Sequence, residues 1–262
     1  MAQLTPERHD SILARLDEGP VTVQFLADQL QVSKETIRRD LDVLQSQGSL
    51  QRVHGGAVPA GAASRVEPTL SDRLGRHTAQ KQRIAHTAQQ FLPPANGGSM
   101  ILDAGTTTEA LANLVADTSS AEGQQRYLIT NAVPIAQRLA SCPGAQVEIL
   151  GGTVRGVTGA AVGSDTVDAL ARRRADVAFI GTNGVDAAFG LSTPDSAEAA
   201  VKAALIRAAR HRILLADSSK LGQTTLVQFA TLAELDVLIT DAEPAPDLAE
   251  ALTEAEVEVV IA

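Results

Sequence analysis

The sequence predicts an α/β protein in two unequal parts: a small, mostly helical head and a larger Rossmann-like domain on a mainly parallel sheet. Three observations carry this. Near the N-terminus three amphipathic segments follow one another, the last two separated only by Gln31 and Val32. From Ser99 onward, short continuous apolar runs alternate with helix-length segments, as in strands covered on both faces. Between the two parts lies a stretch rich in small residues and turn formers.

Length and composition agree. A chain of 262 residues is long enough for two unequal domains, each with its own core. At 44% hydrophobic and 20% charged it reads as soluble and globular, and with only 2% aromatic residues Ala, Val, Ile and Leu must do the packing. No run approaches a membrane span and the N-terminus lacks a signal pattern, so a cytoplasmic protein without a membrane partner is expected. The single cysteine, Cys142, has no metal-ligand spacing around it and reads as a small buried apolar residue; no metal and no cofactor are expected.

In chain order, Thr5-Pro6-Glu7 is a helix start, with Ile12, Leu13 and Leu16 as its apolar stripe and Gly19-Pro20 as its stop. Thr22 opens a second helix carrying Phe25, Leu26 and Leu30. Ser33 caps a third, in which Ile37, Leu41 and Leu44 face one side and Lys34, Glu35 and Arg38 the other. Alone, that third helix is either a DNA-reading helix or a surface helix with solvated charges. The tight junction before it favours a helix-turn-helix. Gly48 is a C-cap candidate, and Ser49 to Val58 reads as two short strands around Gly55-Gly56, with Arg52 and His54 available to a DNA backbone.

Charge is sparse in this head. Residues 1–57 hold six cations (Arg8, Arg15, Lys34, Arg38, Arg39, Arg52) against eight acids, and the whole chain carries −9. A broad electrostatic field for nucleic acid is therefore absent, and DNA binding would rely on a few placed cations and on pairing of heads.

The run Val32-Ser33-Lys34-Glu35-Thr36-Ile37-Arg38-Arg39-Asp40-Leu41, then Gln47-Gly48 and Arg52-Val53-His54-Gly55-Gly56-Ala57-Val58, resembles the N-terminal winged helix of the DeoR family of bacterial transcriptional repressors. Departures at Pro20 and Ser49 lie off the reading face. The resemblance implies that Ser33, Lys34, Thr36, Arg38 and Arg39, with Arg52 and His54 from the wing, contact double-stranded operator DNA. Residues 1–58 would be this winged helix-turn-helix, 59–75 a linker and 76–262 the second domain.

In that second domain Arg76 to Phe91 reads as a helix, stopped by Pro93-Pro94. The apolar runs are Met100 to Leu102, Tyr127 to Ile129, Val147 to Leu150, Val177 to Ile180, Ile213 to Ala216, Val237 to Ile239 and Val257 to Ile261. Parallel sheets bind ligands at the carboxyl ends of their strands, and polar groups follow the runs there. Asp103-Ala104-Gly105-Thr106-Thr107-Thr108 opens a helix: its free amides suit an anion, and a tight turn with threonine caps fits equally. Thr130-Asn131, Gly151-Gly152, Gly181-Thr182-Asn183-Gly184 and Asp217-Ser218-Ser219-Lys220 follow later runs. Among eighteen arginines the chain has only four lysines, and Lys202 and Lys220 both fall near this rim. Glu198 stands one turn before Lys202, which an exposed ion pair would also explain. Arg172-Arg173-Arg174 closes a helix, which the helix dipole suffices to explain; an intersubunit or DNA contact is the alternative.

These segments are similar to the DeoR-family effector domain, whose fold is related to ribose-5-phosphate isomerase. The resemblance implies that Gly105, Thr106, Thr107 and Thr108 hold a phosphate with the help of Lys220. Asn183, Glu198 and Lys202 would meet the sugar, and Asp103, Asn131, Gly151 and Gly152 complete the rim. In the isomerases a glutamate like Glu198 moves the proton, but the acidic loop is missing here, with Ile180, Asn183 and Gly184 in its place. The expectation is thus a homo-oligomeric repressor of a sugar operon, relieved by a phosphorylated sugar such as fructose 1-phosphate. The competing expectations are an isomerase-like enzyme with Glu198 as base and a fused DNA-binding head, and an architectural DNA binder without an effector.

Overall fold

The computed structural model describes residues 5–17, 21–46, 49–53, 55–59, 73, 75–118 and 125–262. Contacts divide the chain into two compact units, residues 1–68 and 69–262. The expected turn at Gly19-Pro20, the cap at Gly48, His54, and all of the 59–75 stretch except Pro59, Arg73 and Gly75 lie outside the described residues.

The first unit comprises α1 (Thr5–Asp17), β1 (Val21–Thr22), α2 (Val23–Leu30), α3 (Lys34–Ser46), β2 (Leu50–Val53) and β3 (Gly56–Pro59). Thr22 caps α2, its hydroxyl accepting from Phe25 N, and Gln31 ends the helix in the left-handed conformation at φ 52°. Ser33 then caps α3 by accepting from Thr36 N at 3.1 Å. Ile37, Leu41 and Leu44, at i, i+4 and i+7, are all buried against Ile12, Leu16 and Leu26.

Two expectations are corrected here. Phe25, named among the apolar residues of α2, is 43% exposed, because α2 buries Val23, Leu26 and Ala27, a face centred about 150° around the helix from Phe25. The hairpin also gains a third strand: β1 pairs with β3, Thr22 opposite Gly56. A Cβ at Gly56 would lie 1.9 Å from Val21 O, so only glycine permits this pairing.

Asp40 holds the unit together. It sits in α3 beside two exposed arginines, yet is buried and accepts from Arg8 Nε at 2.5 Å and Nη2 at 2.9 Å. His9 Nε2 lies 3.1 Å from the same carboxylate. Helix α3 is thereby bolted to α1 by a bidentate pair.

The second unit begins with α4 (Thr78–Ala88), extended by a 3-10 turn at Gln89–Phe91. It starts two residues later than the sequence suggests, because His77 is left-handed at φ 53°. The seven apolar runs form one parallel sheet: β4 (Asn96–Leu102), β5 (Gln125–Thr130), β6 (Ala145–Ile149), β9 (Ala175–Gly181), β12 (Ala209–Leu215), β14 (Val237–Thr240) and β15 (Glu258–Ile261). Their order is β15-β14-β12-β9-β4-β5-β6. Side chains alternate between two cores: Met100 and Leu102 pack in one with Ile84, Leu111 and Ile135, whereas Ile101 packs in the other with Val201, Leu205 and Leu252. Helices α4, α5 (Thr106–Thr118) and α6 (Val133–Ala140) contribute to the first core, and α7 (Ser164–Ala171), α8 (Ser196–Arg207) and α9 (Pro246–Glu254) to the second.

Five short antiparallel strands escaped the sequence pattern. They are the hairpin β7 (Thr153–Arg155) and β8 (Ala160–Val162), and the three-stranded β10 (Gly184–Asp186), β11 (Gly190–Thr193) and β13 (Val227–Ala230). The chain runs outward from β4 to β6, then returns to β9 on the other side of β4. The crevice between the carboxyl ends of β4 and β9 is thus the switch point of the sheet, where such folds bind ligands.

Replacing Asp40 by Ala leaves a buried guanidinium without its carboxylate, and the first unit should lose roughly 3–5 kcal/mol. Calorimetry of the full chain should show a low-temperature transition moving down while the second unit's transition stays. Burial raises the Asp40 carboxyl, but the hydrogen bonds from Arg8 and His9 outweigh it and hold it below the ordinary value. The stability this contributes is present above the unfolded pKa of about 3.9. It should disappear as pH falls through the lower folded value, and a head equally stable at pH 2 and pH 6 would contradict the assignment.

Candidate functional site

The exposed face of α3 carries Lys34, Glu35, Arg38 and Arg39. Arg38 lies 3.5 Å and Arg39 4.0 Å from the Glu35 carboxylate, so one acid tethers both cations at helical spacing. Ser33 and Thr36 share a hydrogen bond at 2.9 Å and close the first turn. Arg52, on β2, is half-buried and ion-paired with Asp42, while its amide donates to Gln45 Oε1 at 3.2 Å. Apart from His54, every residue of the suspected reading set therefore belongs to the surface of α3 or the strand beside it. Asp40, from the same Arg-Arg-Asp run, faces the interior.

In the second unit the sequence-selected residues fall into two groups. The first fills the switch point. Lys202 Nζ donates to Asp103 Oδ2 at 2.5 Å and to Gly181 O at 3.0 Å, joining the ends of β4 and β9. Asp103 also accepts from Gly181 N at 2.9 Å, and both members of the ion pair are buried. Burial pushes the Asp103 carboxyl up, while Lys202 and the Gly181 amide pull it down; burial prevails. Asn131 is buried too, its Oδ1 accepting from Ala104 N and its Nδ2 donating to Ala161 O.

Glu198 does not pair with Lys202, which removes the alternative of an exposed i,i+4 ion pair. Helix α8 turns this face inward, and Glu198 accepts from Thr158 Oγ1 at 2.6 Å and forms an ion pair with Arg155. Arg155 also reaches Asp195 at 3.3 Å, the residue that caps α8. Arg155 and Thr158 went unnoticed in the sequence, since only the β7–β8 hairpin brings them over α8. Asp103, Ala104, Asn131, Ala160, Glu198 and Lys202 line a cleft of about 160 Å³. That space is shared with open solvent, and the side chains leave no enclosed room for even a water-sized molecule.

The glycine turn has a mixed character. Gly105 O accepts from Glu109 N at 2.8 Å, so Gly105 caps α5 and the amides of Thr106 to Thr108 occupy its first turn. Thr108 is fully buried and its hydroxyl donates to Asp103 O and Gly105 O, shaping the turn from inside. Gly152, at φ 144°, serves packing: a Cβ there would meet Thr166 Oγ1 at 2.3 Å. Gly151 O accepts from the Thr166 hydroxyl, and Asn183 Oδ1 from Thr193 at 3.2 Å.

Lys220 belongs to the second group. It ends the turn after β12, where its electrostatic neighbours are Asp217, Arg73 and Arg76. Lys81, from α4, shares that environment, its ammonium donating to Arg76 O at 2.7 Å and to Arg73 O. Four cations thus meet around Asp217. Nε and Nη2 of Arg73 are buried with no hydrogen-bond partner among the described residues. Burial and the neighbouring cations push Lys81 down to about 8, with Asp217 opposing. Burial likewise lowers Lys220. The sequence does show the positive balance of residues 52–83, but nothing in it puts Arg73 and Lys81 beside Lys220.

Two family profiles match the chain: the DeoR-like helix-turn-helix domain over residues 8–60 and the DeoR C terminal sensor domain over residues 76–242. The chain is 36% identical over 241 residues to an uncharacterized HTH-type transcriptional regulator FruR of Bacillus subtilis (strain 168), covering 92% of each. It is 38% identical over 244 residues to the HTH-type transcriptional regulator GlpR of Haloferax volcanii, covering 93% of this chain and 92% of that one. To the glycerol-3-phosphate regulon repressor of Escherichia coli (strain K12) it is 32% identical over 249 residues, covering 95% of each. Solved structures match weakly: ribose 5 phosphate isomerase A from Neisseria gonorrhoeae has 15% identity and a TM-score of 0.38, covering 53% of this chain and 52% of that one.

Because the Lys202–Asp103 pair is buried, Lys202→Met should cost the second unit about 3–5 kcal/mol by leaving Asp103 unpaired. The double variant Lys202→Met/Asp103→Asn should recover a substantial part of that loss. Chemical denaturation followed by circular dichroism would check this, and additive losses would show that the two side chains do not depend on each other.

Proposed function

Since the chain belongs to the DeoR family of transcriptional regulators, we propose that its second unit senses a phosphorylated sugar and thereby controls how its head holds operator DNA. The observation that carries the sensor reading is the cation group at the end of β12. Among the described residues, a guanidinium with two buried donors, the ammonium groups of Lys81 and Lys220, and Arg76 stand against Asp217, a surplus of positive charge that a phosphate dianion matches. The amides at the start of α5 offer a second set of anion donors on the same rim. The names of the relatives, two transcriptional regulators and a glycerol-3-phosphate regulon repressor, favour a regulator over an enzyme.

In this reading Lys34, Arg38 and Arg39 on α3 supply contacts to bases and phosphates, and Arg52 and His54 supply contacts from the wing. Ser33 acts mainly by fixing the start of α3. The cleft has no room for a sugar as it stands, so binding favours a form in which the Arg155–Glu198 contact has loosened. An effector that binds one form more tightly shifts the population and changes operator affinity by the same free energy. Fructose 1-phosphate and glycerol phosphates head the compounds to be tried.

A sugar-phosphate panel should contain a compound that raises the melting temperature of the full chain and weakens its operator complex. Arg73→Ala and Lys220→Gln should each reduce that compound's affinity at least ~10-fold, the loss expected for one charge-assisted contact. A panel in which no phosphate ester changes either stability or operator binding overturns the sensor reading.

Affinity should also fall as pH rises through about 8, where Lys81 gives up its proton and its positive charge. Isothermal titration between pH 7 and 9 reads this directly. An affinity that stayed flat over that range would remove Lys81 from the site.

A further inference from the structure

We propose that two copies of this chain associate through the amino-terminal end of the parallel sheet, by two-fold pairing of its basic and acidic halves. This deepens the reading of the chain as a homo-oligomeric regulator, and rests on it.

The end of the sheet is electrically polarised. Arg172 and Arg174 precede β9, Arg207 ends α8 and Arg210 lies in β12, and all four are exposed. Ala175 pairs with Ala209, and Arg174 Nη1 donates to Arg207 O at 2.9 Å, so the four converge on one patch. Its nearby acid is Asp176, held by Ser99 N at 2.9 Å and by the Ser99 hydroxyl. Two strands further along, Glu254 ends α9, Glu256 follows it and Glu258 opens β15, and these too are exposed. Between the halves, Arg212 and Asp236 neutralise each other through contacts at 2.8 and 2.7 Å.

Distance keeps the halves from cancelling. From β9 to β15 is three strand spacings, about 14 Å, and from β12 two, about 10 Å, against a screening length of about 8 Å at physiological salt. Local structure explains only the basic half, where Arg172 and Arg207 suit helix carboxyl ends. Glu254 stands at a helix carboxyl end, where the dipole disfavours an acid, and residues 221–262 contain no Lys or Arg to compensate.

A two-fold axis through the Arg212–Asp236 boundary would lay each arginine patch on the partner's glutamates, an isologous contact made twice. DNA is a poorer fit, because the acidic half of the same face would repel it.

The test uses the full chain in sedimentation equilibrium at low and high salt. The variants Arg172→Glu/Arg210→Glu and Glu254→Arg/Glu258→Arg should each weaken self-association at least ~10-fold, and an equimolar mixture of the two should restore it. Wild-type association should weaken as salt rises. Should a pair fail to fold by circular dichroism, Arg174→Glu and Glu256→Arg replace it. An oligomer unchanged by either reversal overturns this surface while leaving the oligomeric reading intact; a wild-type chain monomeric at every concentration overturns both. Loss of operator affinity in the arginine variant with self-association unchanged assigns the patch to DNA and likewise refutes the proposal.

Discussion

One ammonium group closes the sheet where its topology reverses. At the switch point, the Asp103 carboxylate at the end of β4 and the Gly181 carbonyl at the end of β9 both present negative charge to the same small space. Two such groups side by side need a cation with several donors, and Lys202 supplies it from the interior face of α8. Much of the rim is arranged by that requirement. Helix α8 must enter at an angle that points Lys202 inward, which carries Glu198, one turn earlier, toward Arg155 and Thr158 on the hairpin. Ala104, Asn131 and Ala160 complete the lining around these charged groups.

The rim is consequently two different environments. At the switch point, charges are compensated: Asp103 with Lys202, Glu198 with Arg155. At the end of β12, among the described residues, they are not, and Arg73, Arg76, Lys81 and Lys220 gather around Asp217. Three of the chain's four lysines lie in these two places. The choice has a physical reason. A compact ammonium on a flexible stem reaches buried carbonyls, as Lys81 does with those of Arg73 and Arg76, where a planar guanidinium would need a wider opening.

The large sheet was legible because parallel strands buried on both faces leave continuous apolar runs, and each of the seven runs became a strand. The winged head was legible from caps and spacing, with Ser33, Ile37 and Leu41 doing in space what they suggest in sequence. The five small antiparallel strands were not, since three or four residues are too short to show a period and their pairing is set by tertiary contacts. The sequence left Glu198 and Lys202 open between a rim site and an exposed pair for a related reason. Spacing shows that two residues share a helix face, not whether that face meets water. Arg73, Lys81 and Arg155 reach their sites through folding of distant segments, and no local pattern marks them.

Charge distribution changes what the acidity of the chain means. Nine of its 31 acids and none of its 22 cations fall in residues 221–262, so the remaining 220 residues carry 22 of each. The net charge of −9 is therefore a property of the edge formed by β14, α9 and β15, remote in sequence from the helix that would read DNA. An edge strand only four residues long that opens on an exposed glutamate, Glu258, also resists pairing with other strands. The acid excess thus says little against DNA binding by the head. It describes how one edge of the sensor domain meets its surroundings.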